Sequence, residues 1–345
     1  MSKHHSALIE LTIARTKEFV RQGEAVFWVF AFPLLLALAL GFAFREKAPD
    51  RIPVGVVSGS TSSSILSSLA KSPALIARGY DAKQGSEALR TGKISLLVEG
   101  GPPLVYRFDP TRPDSRVARL EADDALQQAA GRRNTLPVIE KKVTEKGSRY
   151  IDFLIPGLLG MNLMGTGMWG IGFSIVTARM NKLLKRLVAT PMRKSDYMMA
   201  QMLSRLIFLV LEVATLVIFA WLTFGVGVNG SIFTLAVTCL VGATAFSGIG
   251  LLVAARPTSI EGVSGLMNLV MVPMWLLSGV FFSSERFPDW AQPLIRALPL
   301  TALNDALRAV MIEGRSISTI ATELAVLSIW AIITFTIALK IFRWK

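Results

Sequence analysis

Glu212 occupies the position in this chain that most clearly needs a chemical explanation. It lies in a long apolar segment, seven residues into a predicted membrane span. A charge at the bilayer centre costs about 2.5–3.5 kcal/mol on insertion scales, so the carboxyl group must face protein or water. It could serve a substrate-linked or proton-linked site, or form an interhelical hydrogen bond, and the second interpretation is favoured. Arg205 lies two turns away on the same face, where we expect it to be too far for direct contact.

Methionines recur at helical spacing in two predicted spans, and each of these spans also carries one asparagine. Flexible thioether side chains suit a surface that accepts varied apolar shapes, and an amide at membrane depth needs a partner or a wet cavity. Close helix packing, indicated by the glycines of residues 157–167, explains the same pattern, and both interpretations stay open. The predicted substrate-pathway residues are Met161, Asn162, Met164, Met168, Glu212, Met267, Asn268, Met271 and Met274.

The sequence contains none of the usual patterns for phosphate binding, nucleophilic catalysis or metal catalysis. It has no Gly-x-x-x-x-Gly-Lys-Ser/Thr, no Gly-x-Ser-x-Gly and no His-Glu-x-x-His. The two histidines, His4 and His5, stand at the N-terminus, and the one cysteine, Cys239, lies in an apolar run and should pack as a small hydrophobe. We therefore expect neither an ATPase site nor a cofactor nor a metal ion in this chain. If ATP drives its work, a partner subunit must bind the ATP and Mg²⁺.

The composition is that of a multi-span membrane protein. Of 345 residues, 52% are hydrophobic, the mean hydropathy is +0.50 and the formal net charge is +13. A basic excess is expected at the cytoplasmic surface of a membrane protein. The basic residues are not interleaved with aromatic residues as in a nucleic-acid site, so we expect no nucleic-acid partner.

Six apolar stretches have the length of about 20 residues that a membrane-spanning helix needs. They are Ala25–Phe44, Phe153–Val176, Leu206–Phe224, Ile232–Ala254, Val263–Phe282 and Leu324–Phe342. With the N-terminus inside, the short cytoplasmic segments hold fifteen Lys and Arg residues and the short outer segments hold four. The positive-inside rule therefore predicts that both termini are cytoplasmic.

Between these spans the sequence predicts four further parts. Residues 1–24 form an amphipathic helix in the membrane interface, with Ile9, Ile13, Thr16 and Val20 on its apolar stripe. Residues 45–150, after span 25–44, form an extracytoplasmic α/β domain. The five-helix part, 151–345, contains a cytoplasmic loop, 178–205, and an outer loop, 283–319. The fold class is thus an α-helical polytopic membrane protein with an inserted α/β domain.

In the inserted domain, apolar runs bounded by turn residues predict strands, and helix start and stop signals predict helices. The predicted strands are Ile52–Val57, Ile94–Val98 and Leu104–Phe108, and the predicted helices are Ser62–Lys71, Lys83–Thr91 and Asp114–Ala130.

A basic segment at residues 178–200 joins two predicted spans and is interrupted at Thr190-Pro191. Leu183, Leu184 and Leu187 make an apolar edge that a partner's groove can bury. The residue before a proline is pushed out of the helical region, so Thr190-Pro191 ends the helix. The alternative is a solvated basic loop that only sets orientation.

Three segments resemble those of the membrane subunits of ABC-2 type exporters, in the branch with a large outer domain between the first two spans. The segments are Leu183–Pro191 (LLKRLVATP), Leu277–Phe282 (LSGVFF) followed by Phe287–Trp290 (FPDW), and Leu298–Arg308 (LPLTALNDALR). One departure is Met180-Asn181-Lys182, which stands where the family often has an acidic residue and a glycine.

The resemblance implies a subunit that exports a hydrophobic or amphipathic compound, such as a drug or a lipid, across a bacterial inner membrane. It implies two cytoplasmic ABC ATPase subunits and a second copy of the chain or a sister permease, in contact with membrane lipids; a periplasmic adaptor is a further candidate partner. The implied ATPase-coupling residues are Lys182, Leu183, Leu184, Lys185, Arg186, Leu187, Thr190 and Pro191. Two alternatives remain: a proton-coupled secondary transporter that uses Glu212, and a membrane-anchored ligand sensor.

Overall fold

A computed structural model describes residues 7–44, 51–101, 103–133, 136, 139, 147, 149–183 and 194–342. The chain divides into two compact units, residues 1–45 with 143–345, and residues 46–142. The first is called the membrane unit here and the second the inserted domain.

Within the described ranges, the membrane unit contains six helices that are long and apolar enough to cross a membrane, as the sequence predicted. These spans are Gly23–Ala43, Tyr150–Met180, Ile207–Phe224 within the helix Lys194–Phe224, Ile232–Ala254, Ile260–Leu277 and Ala321–Ile341, and they are numbered one to six in that order. The fourth span has the predicted bounds. The fifth ends at Leu277 rather than at Phe282, because Gly279 adopts a left-handed conformation with φ of 70° that a helix cannot contain.

Short helices follow the fifth span. They are the 3₁₀ turns Ser284–Arg286 and Asp289–Ala291 and the α-helices Gln292–Ala297 and Pro299–Met311. In the last of these, Asn304 Nδ2 donates to the Ser278 carbonyl at 2.8 Å, and Arg308 donates to the Gly279 carbonyl. The Arg308 guanidinium also lies 3.8 Å from the centroid of the Phe153 ring. The second and third sequence segments quoted above therefore pack against each other, where they stabilise the turn after the fifth span.

The first span contains a local irregularity. Its residues Phe27–Ala31 form a π-helical turn, and Pro33 follows two residues later. Because proline has no N–H, the carbonyl of Val29, four residues earlier, lacks its usual helical donor. Asn162 of the second span donates to that carbonyl through Nδ2 at 3.3 Å. The asparagine therefore satisfies a backbone group that would otherwise be unpaired in an apolar medium.

The N-terminal helix, Ala7–Arg21, packs against the helix of the third span. The ring centroids of Phe19 and Phe208 are 4.1 Å apart, and Thr12 is buried on the same side. Ile9, Ile13 and Val20 are exposed on another face. The helix is thus amphipathic, and its location in the membrane interface stays a prediction.

The inserted domain is a four-stranded sheet with helices on both faces. The strands are β1 (Ile52–Val57), β2 (Leu75–Tyr80), β3 (Leu96–Glu99) and β4 (Val105–Arg107), in the order β2-β1-β3-β4, with β4 antiparallel to β3. The helices are Ser62–Leu69, Ala82–Arg90 and Pro113–Ala129.

Side chains alternate between the two faces of the sheet because successive residues of a strand point in opposite directions. Val54, Val56 and Val98 pack with the first and third of these helices, whereas Leu97 packs with Ala88 of the second. The sequence did not predict β2, which is an edge strand.

Candidate functional site

A cavity of about 700 Å³ lies within the membrane unit. Residues of the N-terminal helix and of the first, second, third and fifth spans line it. Along the second span its lining runs from Met161 to Asn181, which at 1.5 Å per residue is roughly 30 Å. The cavity therefore extends from within the span to the end of the helix, where the basic segment begins. Its volume is within the range of sites for drug-sized molecules, about 300–1,000 Å³.

Aromatic side chains form much of the cavity wall. Trp28 and Phe32 of the first span have ring centroids 4.9 Å apart, and Trp169 and Phe173 of the second span have centroids 4.6 Å apart. Among the described residues, a Cβ atom on Gly165 would meet no atom of a neighbouring segment within 4 Å, and the same is true of Gly170. These two glycines keep the wall open, whereas large aromatic rings supply its apolar surface.

A buried polar network forms part of the same wall. Arg205 donates to Glu212, with Nη1 2.5 Å from Oε1, and also to the Thr166 hydroxyl. Thr166 Oγ1 donates to Glu212 Oε2 at 3.0 Å, so the carboxylate has a partner on each oxygen. The side chain of Glu212 is fully buried, whereas that of Arg205 is 11% exposed.

This network corrects the expectation that Arg205 and Glu212 are too far apart. Seven residues correspond to about 10.5 Å along a helix and to nearly two full turns, so the side chains lie on one face. The expectation considered the backbone separation, but two long side chains extended toward each other cover that distance. The hydrogen bond from Thr166 joins the second span to the third, which is the structural interpretation given to Glu212. Both carboxylate oxygens are thus occupied, which is an arrangement suited to holding two helices together.

The predicted pathway residues fall into two groups. Met161, Asn162, Glu212 and Met271 line the cavity. Met164, Met168, Met267 and Met274 are buried outside its lining, and Asn268 is exposed.

Helix packing explains the position of two of these buried methionines. The side chain of Met267 fills the space beside Gly172, and the backbone of Met168 lies against Gly250. The glycines of the second span divide in the same way. Gly157 and Gly167 are in close contact with neighbouring segments, whereas Gly165 faces the cavity.

The proposed coupling residues lie mostly outside the described part of the chain. Leu184, Lys185, Arg186, Leu187, Thr190 and Pro191 are among the residues that the structure does not describe. Lys182 is described and has a left-handed backbone with φ of 55°, so it ends the second-span helix in the conformation that usually favours glycine. Leu183 is 40% exposed and lines the end of the cavity.

Sequence reasoning missed Arg179, which connects the last turn of the second span to other segments. Its guanidinium donates to the carbonyls of Ala254 and Ala255, each at 3.1 Å, and to that of Pro257. It also lies 5.5 Å from the centroid of the Phe342 ring, just after the sixth span. The available signal was a basic residue in the last turn of a helix, where cations contact exposed carbonyls. Arg179 therefore ties the start of the basic segment to the ends of two other spans.

Within the described ranges, no group of three or more His, Cys, Asp or Glu side chains is placed to hold a metal ion. The polar groups of the cavity wall are suited to hydrogen bonding and ion pairing.

Comparison with known proteins adds a family and several relatives. A family model described as ABC-2 family transporter protein matches residues 24–340. ABC transporter G family member 20 of Dictyostelium discoideum is 27% identical over 55% of this chain and 26% of its own length. Inner membrane transport permease YhhJ of Escherichia coli strain K12 is 29% identical over 50% of this chain and 46% of its own length.

Nodulation protein J of Rhizobium leguminosarum bv. viciae is a further relative. It is 29% identical over 32% of this chain and 42% of its own length. The chain spans less than half the length of each of these three curated relatives.

Proposed function

Because this chain belongs to the ABC-2 family of transporter proteins, and is thereby the membrane subunit of an ABC transporter, we propose that it exports a hydrophobic or amphipathic compound with energy from separate cytoplasmic ATPase subunits. The working complex contains two membrane subunits, this chain paired with a second copy or a sister permease. It lies in a bacterial inner membrane with both termini in the cytoplasm.

The observation that carries the export proposal is the cavity. A space of about 700 Å³ with aromatic walls suits an apolar or amphipathic molecule better than a small ion. One end lies at Asn181 and Leu183, where the basic segment begins, and the other lies near Met161, about one third of the way along the second span from Tyr150. A compound entering from the cytoplasmic side would thus reach the membrane interior in contact with flexible methionine side chains and aromatic rings.

The contacts of Arg179 support a coupling role for the basic segment. A partner that docks on Leu183 and Leu187 would push on a segment whose start is held to the fourth and sixth spans by one guanidinium. Movement of the docked segment would then reach several helices together. Apolar anchors supply most of the affinity in docking of this kind, and rim charges mainly tune association.

A pair of variants tests the coupling assignment. Leu183→Asp combined with Leu187→Asp should abolish copurification of the P-loop ATPase and transport, while the chain still inserts and folds. The matched control, Lys185→Ala, changes a rim charge of the same segment and should have a much smaller effect.

Two measurements decide the matter: the yield of ATPase in a pull-down, and hydrolysis by the chain alone. The purified chain should show no ATP hydrolysis until the ATPase subunit is added. Equal recovery of the ATPase with the double variant and with the unmodified chain would show that the partner docks elsewhere. Hydrolysis by the pure chain would contradict the assignment to a membrane subunit.

A further inference from the structure

Two buried N–H groups on the cavity wall have no hydrogen-bond acceptor within the described part of the chain. They are Nε of Arg205 and Nε1 of Trp275. A buried donor without an acceptor costs about 1–3 kcal/mol, so a native protein rarely keeps one without a reason. Both residues line the same cavity. The unused donors indicate a ligand that brings acceptor oxygens.

The sign of the accessible charge narrows the class of ligand. Among the described residues, two charged ones line the cavity, Arg205 and Glu212. The carboxylate is fully buried and has partners on both oxygens, whereas the guanidinium keeps 11% of its side chain exposed. The charge that a bound molecule can reach is therefore positive. A positive group in a wall of low dielectric attracts anions and disfavours cations.

The rest of the wall sets the shape of the ligand. Trp28, Phe32 and Trp169 present aromatic surface, and Gly165 and Gly170 leave room beside it. Thr177 and Asn181 place polar side chains near the end where the basic segment begins. The cavity is thus elongated and mostly apolar, and among the described residues it contains one reachable cation. Its volume suits one drug-sized molecule.

We propose that this cavity within a single membrane subunit binds an anionic, single-chain amphiphile, with its acidic group at Arg205 and its apolar part against the aromatic wall. The inference rests on the proposed function only in naming this ligand as the class of exported compound. Binding itself requires no ATPase and can be measured on the chain alone, so a failed binding test leaves ATPase docking untouched.

The chain supplies its own fluorescence donors for the binding experiment. Trp28, Trp169 and Trp275 line the cavity, so energy transfer to a dansyl group reports occupancy. The purified chain in zwitterionic nanodiscs is titrated with ω-dansyl undecanoic acid, with its neutral methyl ester and with the corresponding primary amine. Empty nanodiscs give the contribution of membrane partitioning. The acid should bind at least tenfold more tightly than the ester or the amine.

Two glycine variants locate the site. Gly165→Phe should weaken acid binding at least tenfold, because Gly165 lines the cavity and the ring would occupy part of its space. Gly265→Phe is the matched control: this glycine also lies in a span, its built Cβ also meets no atom within 4 Å, and it does not line the cavity. The Gly265→Phe variant should bind the acid with the same affinity as the unmodified chain. Each variant is first tested by thermal unfolding, where a cooperative transition indicates that it is folded.

A charge variant tests the role of Arg205. Arg205→Met with Glu212→Leu removes both charges together, so that neither is left buried alone. This double variant should bind the acid no more tightly than the ester. Its affinity for the ester should equal that of the unmodified chain.

Three results would each overturn the proposal. They are equal binding of acid and ester by the unmodified chain, tightest binding of the amine, and unchanged acid binding in a folded Gly165→Phe variant. Repeating the titration with lysophosphatidylglycerol, a single-chain anionic lipid, in the nanodiscs identifies the source of the ligand. Loss of acid binding there indicates that an anionic lipid occupies the cavity, and unchanged binding indicates a soluble amphiphile; both agree with the proposed chemistry.

Discussion

Removing the Glu212 carboxylate should strongly destabilise the membrane unit. In Glu212→Ala the guanidinium of Arg205, only 11% exposed, would keep its charge and lose the partner 2.5 Å away. Breaking a buried ion pair from one side costs about 3–5 kcal/mol. For a unit of this size, each kcal/mol corresponds to roughly 2–4 °C in melting temperature. We therefore expect the melting temperature to fall by about 6–20 °C.

An exposed ion pair in the same unit is the control. Arg315 and Glu313 are separated by 2.5 Å, but their side chains are 54% and 49% exposed. Exposed pairs contribute about 0–1 kcal/mol, so Glu313→Ala should change the melting temperature by no more than about 4 °C. The assay is thermal unfolding of the purified chain in detergent, followed by tryptophan fluorescence and size exclusion. The two ion pairs have the same separation and differ in burial. The difference between the two variants in melting temperature therefore reports the effect of solvent exposure.

The double variant Arg205→Met with Glu212→Leu separates the cost of an unpaired charge from the loss of packing. Replacing both members of a buried pair with apolar residues is often neutral or stabilising. Most of the stability lost in Glu212→Ala should therefore return. If Glu212→Ala and Glu313→Ala had equal effects, the pair between Arg205 and Glu212 would be solvated in the native protein and the network described above would be refuted.

Three further outcomes follow from the described contacts. Gly165→Ala should raise the free energy of unfolding by about 0.5–1 kcal/mol, because alanine favours the helix and its methyl group meets open space. Gly167→Ala should lower the free energy of unfolding by about 1–3 kcal/mol, because its methyl group would stand 2.9 Å from a phenylalanine. Thermal or denaturant unfolding compares the two variants. Exposed cysteines at Ser60 and Thr258 should react with a membrane-impermeant maleimide from opposite sides of the membrane; labelling from one side would contradict the predicted topology. Burial, and then a neighbouring carboxylate, raises the pKa of Tyr106 from 10.0 to about 12. The folded inserted domain therefore retains this proton better than the unfolded chain and should lose stability as the pH rises from 10 to 12. Tyr106→Phe should reduce that loss of stability, as circular dichroism in alkaline titrations would show.

The spans were predictable because membrane insertion depends on a local property, the length of an apolar run. The fourth span shows this best, since its predicted bounds, Ile232–Ala254, are those of the structure. The strand β2 was not predictable in this way. Leu75 is buried, but Arg78 and Gly79 interrupt the alternation that marks a half-buried strand. Its pairing with β1 is a property of the folded domain.

The cavity could be predicted only in part. Met161 and Met168 lie on nearly the same face of the second span, about 20° apart on a helical wheel, yet one lines the cavity and the other packs against Gly250. A periodic pattern gives the face of a helix and says nothing about what stands opposite it. The unused donors of Arg205 and Trp275 are likewise visible only once the neighbouring helices are in place.

The Arg179 contacts have a consequence for how the sequence around them can evolve. Three acceptors of its guanidinium are backbone carbonyls, at Ala254, Ala255 and Pro257. Side chains at these positions can drift without loss of the contact, because every residue type supplies the same oxygen. Insertion or deletion of even one residue would move the acceptors away from the guanidinium. Selection here should therefore act on the length of the segment far more strongly than on its composition.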